Sequence, residues 1–329
     1  MKLRQLAKQL ANLLKRAKSS RSGRACQQRV FTAAVASSIA LTLPRGFPTL
    51  RRSHVVHVIH PRRRLPPAAV PACRASPVTA PRIGSVGYLN AAPLTRGIED
   101  RVLYRTPAEL AKLLRAGSLD AALVSITEVL QHDAYDVLDG WGILSLGEVK
   151  SVLLAHRMPL DRVTEVFCHT ASLTSVNLLK VLLGDRGLRP AFRPLENLGD
   201  ASGKDAVLLI GDPALDFLQR PGAHQIWDLG AAWRDWTGLP FVYAAWALRR
   251  GAHTPELRAS LSRAGQRGLA ELDALCRERS EYTYEFRRSY LGGNIRYELD
   301  ADARRGLARF AAELRAQGLG PIFEPCFVE

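Results

Sequence analysis

Short runs of hydroxyl, amide and carboxyl side chains occur at four places where an apolar stretch gives way to a helix-forming one. These runs cover residues 87–90, 125–128, 147–152 and 170–175. A helix N-terminus presents unpaired backbone N–H groups, and each favourable contact with an anion there is worth roughly 0.3–1 kcal/mol. Several such termini meeting at one point would suit a small dicarboxylate without a set of arginines.

The same residues also have a purely structural explanation. Serine and threonine before a helix commonly cap it, and Asn90 is equally suited to stabilising a turn. The carboxylates at these junctions and at the end of the apolar run 206–210 are Glu128, Glu148 and Asp212. The junctions therefore offer many hydrogen-bond donors and few bases.

Apolar, strand-like runs alternate with helical patterns from Arg82 onward. We predict strands at 82–86, 121–124, 144–155, 163–168, 206–210 and 239–248. We predict helices near Pro93, from Thr106, and at 126–130, 172–183, 254–277 and 300–317. Thr106-Pro107-Ala108-Glu109 has the pattern of a capping box with proline in the first turn. This alternation predicts parallel sheets with helices on both sides.

The chain begins with two βα units, then passes into a second set of elements and returns to the first. This order fits an α/β fold of periplasmic-binding-protein type II-like architecture, with two α/β lobes and a central cleft. We assign residues 81–160 and 247–329 to the first lobe and residues 161–246 to the second. Ligands in such folds bind at the carboxyl ends of strands, against helix N-termini. The run 84–87 lacks the third glycine of a dinucleotide-binding loop.

The N-terminal quarter differs sharply in composition from the rest. Residues 1–80 hold 16 Lys and Arg and no acidic residue, so the other 249 residues hold 30 basic and 31 acidic side chains. Three interpretations stay open for this stretch: a targeting segment, a disordered basic extension, or a start codon assigned too far upstream. The balanced charge of the remainder argues against a nucleic-acid partner.

The five cysteines show no CxxC pair, which favours reduced thiols and a cytoplasmic protein. No apolar run reaches the length of a membrane span. His54, His57 and His60 have metal-like spacing, but odd offsets on a strand and cationic surroundings argue against a metal site.

Five short motifs, in order along the chain, resemble those of the chorismate dehydratase family of menaquinone biosynthesis. They are Gly87-Tyr88-Leu89-Asn90, Gly147-Glu148-Val149 with Ser151-Val152, Thr170-Ala171-Ser172 with Thr174-Ser175-Val176, Leu208-Leu209-Ile210-Gly211-Asp212, and residues 236–242. The resemblance spans about residues 82–325. Gly87 stands where serine is common in the family, so a hydroxyl role at that position is lost.

The resemblance implies loss of water from chorismate to give 3-[(1-carboxyvinyl)oxy]benzoate, the first step of the futalosine route, without a cofactor. It implies that Asn90 and Ser151 are catalytic, orienting the departing hydroxyl and holding enolate-like charge. Together with the second junction, the motifs supply the substrate-binding candidates Tyr88, Ser125, Glu148, Thr170, Ser172, Thr174, Ser175 and Asp212. Because bases are few, we hypothesise that a carboxylate of the substrate accepts the proton.

Three other interpretations remain. A solute-binding protein of the same fold would also carry such a cleft, and Val30–Leu43 would then be its export signal. A second possibility is another enzyme of this fold that acts on a different acid of the aromatic pathway. A nucleic-acid-binding protein is supported only by the N-terminal charge.

Overall fold

The strands form two sheets, and the chain crosses between them twice. The computed structural model describes residues 80–169 and 173–329, so the predictions for the N-terminal segment, including His54, His57 and His60, lie outside the described residues. The strands are β1 (Ile83–Ser85), β2 (Val102–Tyr104), β3 (Ala121–Ser125), β4 (Tyr135–Ser145), β5 (Val152–His156), β6 (Glu165–His169), β7 (Ala191–Leu195), β8 (Ala206–Ile210), β9 (Gln225–Asp228), β10 (Phe241–Arg249), β11 (Arg296–Leu299) and β12 (Cys326–Val328).

Helices cover the faces of these sheets. The α-helices are α1 (Pro107–Arg115), α2 (Ile126–Gln131), α3 (Leu173–Asp185), α4 (Asp212–Gln219), α5 (Leu229–Thr237), α6 (Pro255–Ala270), α7 (Leu272–Glu278), α8 (Tyr284–Ser289) and α9 (Ala301–Ala316). A 3-10 helix spans Leu89–Thr95 and a π-helix spans Tyr290–Asn294. Within the described ranges, no helix is long and apolar enough to span a membrane.

The first sheet has seven strands among the described residues, in the order β11-β4-β10-β3-β1-β2, with β12 also paired to β4. β1 runs parallel to β2 and β3, as predicted. β10, however, is antiparallel to both β3 and β4, so the expectation of a parallel sheet is wrong here. The chain leaves this sheet at Ser145 and returns at Phe241, and these two residues are paired. A strand that returns beside the end of β4 must run back along it.

The second sheet has the order β7-β6-β8-β5-β9 in the described part of the chain. β6 is parallel to its neighbours, whereas β5 is antiparallel to β8 and β9. The chain therefore crosses between Ser145 and Val152 and again between Asp228 and Phe241, earlier than the expected lobe boundaries at 160 and 246. The apolar composition of β5 and β10 marks buried strands but does not indicate which sheet they join.

Short sequence patterns correctly predicted where most of the predicted helices begin. The Thr106 hydroxyl accepts from the Glu109 N–H at 3.4 Å, and the Glu109 carboxylate accepts from the Thr106 N–H at 3.0 Å, which confirms the capping box. The helix predicted from 254 to 277 is instead divided at Glu271, whose carboxylate pairs with Arg96 at 2.7 Å. Most of the long strand β4 lies outside the strand predicted at 144–155, and within it Gly140 has a positive φ of 79°.

Helix α6 supports the 3-10 helix that carries Asn90. Gly268 of α6 lies so close to this segment that an added Cβ would stand 1.9 Å from the Pro93 carbonyl oxygen. Glycine is therefore required at this contact by the close approach of two backbones.

We predict that Gly268→Ala lowers the free energy of unfolding by about 1–3 kcal/mol, because the extra methyl group forces α6 away from the Pro93 segment. Urea denaturation measures this change. The control is Gly203→Ala, whose added Cβ meets no described atom within 4 Å, so a change within about 0.5 kcal/mol is expected. Equal stability of the two variants would contradict the packing argument.

Candidate functional site

A cavity lies between the two sheets, where β1, β3 and β8 end and β5 begins. Its volume is about 70 Å³, below the range of roughly 300–1,000 Å³ found for small-molecule sites. Its polar lining residues are Tyr88, Asn90, Ser125, Ser151, Ser175 and Tyr243. The structure thus brings together five of the residues predicted from sequence and adds Tyr243. Among the described residues that line it, none carries a charge.

The first wall of the cavity is held by Asp212. Both oxygens of its carboxylate accept from the Leu89 N–H, at 3.0 and 3.3 Å. Burial raises the pKa of Asp212, and the hydrogen bond from Leu89 opposes that rise. Asp212 was predicted to bind substrate, but its carboxylate instead positions the segment carrying Tyr88 and Asn90 and joins the two sheets.

Gly211 fixes the place of the Tyr88 ring. Its φ of 62° and ψ of −148° lie in a region open essentially to glycine alone. A Cβ at this position would stand 2.9 Å from the Tyr88 ring. The bare backbone therefore lets Tyr88, which lines the cavity, approach the end of β8.

The second wall is a hydroxyl cluster where α2 and α3 begin. Ser125 Oγ accepts from the Thr174 N–H at 2.9 Å, and the two hydroxyls also contact each other. Thr174 Oγ1 accepts from the Thr127 N–H at 3.0 Å. Thr174 is fully buried and joins two helices rather than facing the cavity, whereas Ser125 and Ser175 reach it. Thr170 and Ser172 lie outside the described residues, so their predicted roles remain predictions.

The third wall is the loop of residues 147–151, which is folded around Asp228. This carboxylate accepts from the N–H groups of Val149, Lys150, Gly230 and Ala231, at 2.7–3.1 Å. Burial raises the pKa of Asp228, and these four hydrogen bonds oppose the rise. The clamp holds Lys150 in the left-handed region, with φ of 59°.

Ser151 is presented to the cavity at the end of this loop. Its hydroxyl donates to the Val149 carbonyl at 3.3 Å, a long bond that a ligand can replace. Asn90 also lines the cavity and is 9% exposed. Asn90 Oδ1 has no hydrogen-bond partner in the described part of the chain.

Glu148 does not belong to the cavity. Its side chain is exposed and is absent from the lining, while its carbonyl accepts from Asn294 Nδ2 at 3.0 Å. The turn that directs the next two N–H groups to Asp228 leaves the Glu148 side chain on the outside. The substrate-binding role expected for Glu148 is therefore not supported by its position.

Sequence reasoning missed Asp228 and Tyr243. Asp228 directly precedes a helix, so its role as an N-cap could have been predicted from sequence. Its hydrogen bonds to the 147–151 loop could not, because they depend on the fold. The Tyr243 hydroxyl contacts Ser145 Oγ at 2.9 Å, and burial raises its pKa well above the usual value, so it remains protonated. Nothing local in the strand β10 distinguishes it from a core tyrosine.

The sequence pattern of a family described as menaquinone biosynthesis matches residues 81–316. The chain belongs to this family. The resemblance drawn from the five motifs is thereby confirmed.

Two relatives of this chain are named chorismate dehydratase. The protein from Thermus thermophilus is 34% identical over 268 residues, covering 74% of this chain and 97% of its own. The protein from Campylobacter jejuni is 31% identical over 159 residues, covering 48% of this chain and 58% of its own. The first of these alignments spans nearly the whole relative.

Several solved structures have the same fold as this chain at low sequence identity. A structural-genomics protein from Archaeoglobus fulgidus has a TM-score of 0.58 at 15% identity and covers 73% of this chain and 98% of its own. The alkanesulfonate-binding protein of Xanthomonas axonopodis pv. citri, solved with MOPS bound, has a TM-score of 0.52 at 17% identity, covering 73% and 93%. The periplasmic-binding-protein-like α/β fold is thereby confirmed.

We predict that Asp228→Asn lowers the free energy of unfolding by about 1–3 kcal/mol, because an amide NH₂ replaces one acceptor and leaves buried N–H groups unpaired. Chemical denaturation measures the change. The matched control is Asp235→Asn on the exposed face of the same helix, α5, where a change within about 0.5 kcal/mol is expected. Two equal changes would refute the clamp.

Proposed function

We propose that this protein dehydrates chorismate to 3-[(1-carboxyvinyl)oxy]benzoate, the first step of the futalosine route to menaquinone. The observation that carries the proposal is the uncharged, hydroxyl-lined cavity containing Asn90 and Ser151 in a member of the menaquinone biosynthesis family. The relative from Thermus thermophilus, named chorismate dehydratase, supports the choice of substrate. The proposed partner is this small molecule alone, with no nucleic acid.

The reaction is an elimination across C3–C4 of the chorismate ring. The C3–H bond breaks, its electron pair forms the new ring double bond, and the C4–O bond breaks as hydroxide leaves. The hydroxide takes up a proton and departs as water, so the reaction is redox-neutral and requires no electron carrier. The ring becomes aromatic, which supplies the driving force. The protein therefore has to orient the substrate, accept or relay one proton and stabilise charge.

The proton acceptor is proposed to be a carboxylate of chorismate itself. The described lining of the cavity contains no carboxylate, imidazole or amine, and its tyrosines Tyr88 and Tyr243 have raised pKa values, owing chiefly to burial. A neutral tyrosine donates a hydrogen bond but does not remove a proton from carbon. A substrate carboxylate held beside C3 meets the need without a protein base.

Asn90 and Ser151 are proposed to act on the departing hydroxyl and on the enolate-like charge. Both line the cavity, on different walls, and both are nearly buried, with Ser151 1% and Asn90 9% exposed. Buried donors that are held in place stabilise developing charge without reorganising. Ser125 and Ser175, beside the N-terminus of α3, are proposed to bind a carboxylate of the substrate, with Thr170 and Ser172 as further candidates.

A receptor without catalysis is the second candidate. The alkanesulfonate-binding protein shares the fold, and a fold of this kind binds ligands in its cleft without converting them.

We further propose a cytoplasmic location, because Cys168, Cys276 and Cys326 are free thiols.

We predict that the full-length protein consumes chorismate, with a change in ultraviolet absorbance and a mass loss of one water. Asn90→Ala and Ser151→Ala should each lower kcat by about 100- to 1,000-fold, because each removes a donor from the developing charge. Ser118→Ala, at an exposed position away from the cavity, is the control and should keep wild-type turnover. Tight binding without turnover by the wild-type protein would favour the receptor.

We predict that Glu148→Gln changes kcat by less than about threefold, since this exposed side chain lies outside the cavity. Steady-state kinetics with chorismate measure the effect. A loss of several orders of magnitude with binding retained would identify Glu148 as the base and refute proton transfer to the substrate carboxylate.

A further inference from the structure

A segment absent from the sequence motifs, Tyr282–Asn294, contacts two walls of the cavity from outside its lining. At one end the Tyr282 hydroxyl donates to the Asp212 carbonyl at 3.2 Å. At the other end Asn294 Nδ2 donates to the Glu148 carbonyl at 3.0 Å. The segment therefore joins the walls that carry Asn90 and Ser151.

Tyr290 begins the π-helix in the middle of this segment. Its ring stacks on Phe286, with centroids 5.9 Å apart, and its side chain is 1% exposed. The hydroxyl is completely buried, and no described group meets it in full hydrogen-bond geometry. A buried polar atom that lacks a good hydrogen bond lowers the folding stability by about 1–3 kcal/mol. The presence of a hydroxyl at this position therefore needs an explanation.

The hydroxyl of Tyr290 interacts with the two side chains proposed for catalysis. Burial raises the pKa of Tyr290, and side-chain hydrogen bonding with Ser151 and with Asn90 opposes that rise, so both side chains lie within reach of the hydroxyl. The net shift is upward, so the phenol keeps its proton and acts as a donor. Asn90 Oδ1 is a buried acceptor that lacks a donor within the described chain. The Tyr290 hydroxyl and Asn90 Oδ1 are thus two buried polar atoms on neighbouring side chains, and neither has a hydrogen bond of full geometry within the described chain.

We infer that, when substrate is bound, Tyr290 donates a hydrogen bond to Asn90 Oδ1 and holds the Asn90 amide with its NH₂ group toward the cavity. This inference rests on the proposed function of Asn90. An amide has two orientations that differ by exchange of oxygen and nitrogen, and only one of them offers a donor to the departing hydroxyl. Tyr290 does not line the cavity, so it is a positioning residue that acts through Asn90.

Tyr290→Phe tests the inference with little risk to folding, because it keeps the ring on Phe286 and removes only the buried hydroxyl. We expect kcat for chorismate to fall by about 10- to 100-fold, with KM changed by less than about threefold. The matched control is Tyr297→Phe, because the Tyr297 hydroxyl is also buried without a partner in the described chain. Its kcat should stay within about twofold of the wild-type value.

A double-mutant cycle separates positioning from a general structural effect. If Tyr290 acts through Asn90, Tyr290→Phe should have no further effect on kcat in the Asn90→Ala background. Independent, multiplicative losses would overturn the inference, as would full activity of Tyr290→Phe or an equal loss in Tyr297→Phe. A wild-type protein that binds chorismate without converting it would refute the proposed function alone. The same cycle, measured in the dissociation constant, would then decide the role of Tyr290.

Discussion

Buried backbone N–H groups need acceptors, and two aspartates meet that need for the loops that form the cavity. Asp212 accepts from Leu89, and Asp228 accepts from Val149 and Lys150 as well as from its own helix. Both aspartates lie at the ends of strands of the second sheet, where helices α4 and α5 begin. Because these carboxylates face backbone rather than the cavity, they fix the walls without adding charge to the space where an anion is proposed to bind.

Sequence patterns predicted much of the local structure and about half of the candidate site. Capping chemistry placed Thr106 at a helix start because the whole signal is contained within four residues. Strand partners were not predictable, since the apolar residues of β5 and β10 suit either sheet equally well. Thr174 and Glu148 have the residue types expected of ligand contacts. The Thr174 hydroxyl, however, accepts a hydrogen bond from Thr127, and the Glu148 side chain is exposed to solvent. Such choices depend on contacts between residues far apart in the chain.

The uncharged lining of the cavity bears on how one fold serves binding and catalysis alike. A receptor gains from any group that stabilises the bound ligand, whereas an enzyme gains only from groups that favour the transition state more strongly. Strong cationic partners for both carboxylates of a substrate would lower their basicity and oppose their use as a base. Neutral donors such as Ser125, Ser175 and Asn90 bind a carboxylate while leaving it able to accept a proton.

The pairing of Ser145 with Phe241 means that residues 146–240 leave and re-enter the first sheet at one point. Seen from that sheet, the whole second sheet is the loop of a β-hairpin. The entropy of closing a loop grows only logarithmically, at about 0.6 kcal/mol for each doubling of length. A 95-residue loop (146–240) in place of a four-residue turn thus costs the hairpin about 3 kcal/mol. The ladder between β4 and β10 can therefore tolerate insertions or deletions within the second sheet at little cost in loop-closure entropy.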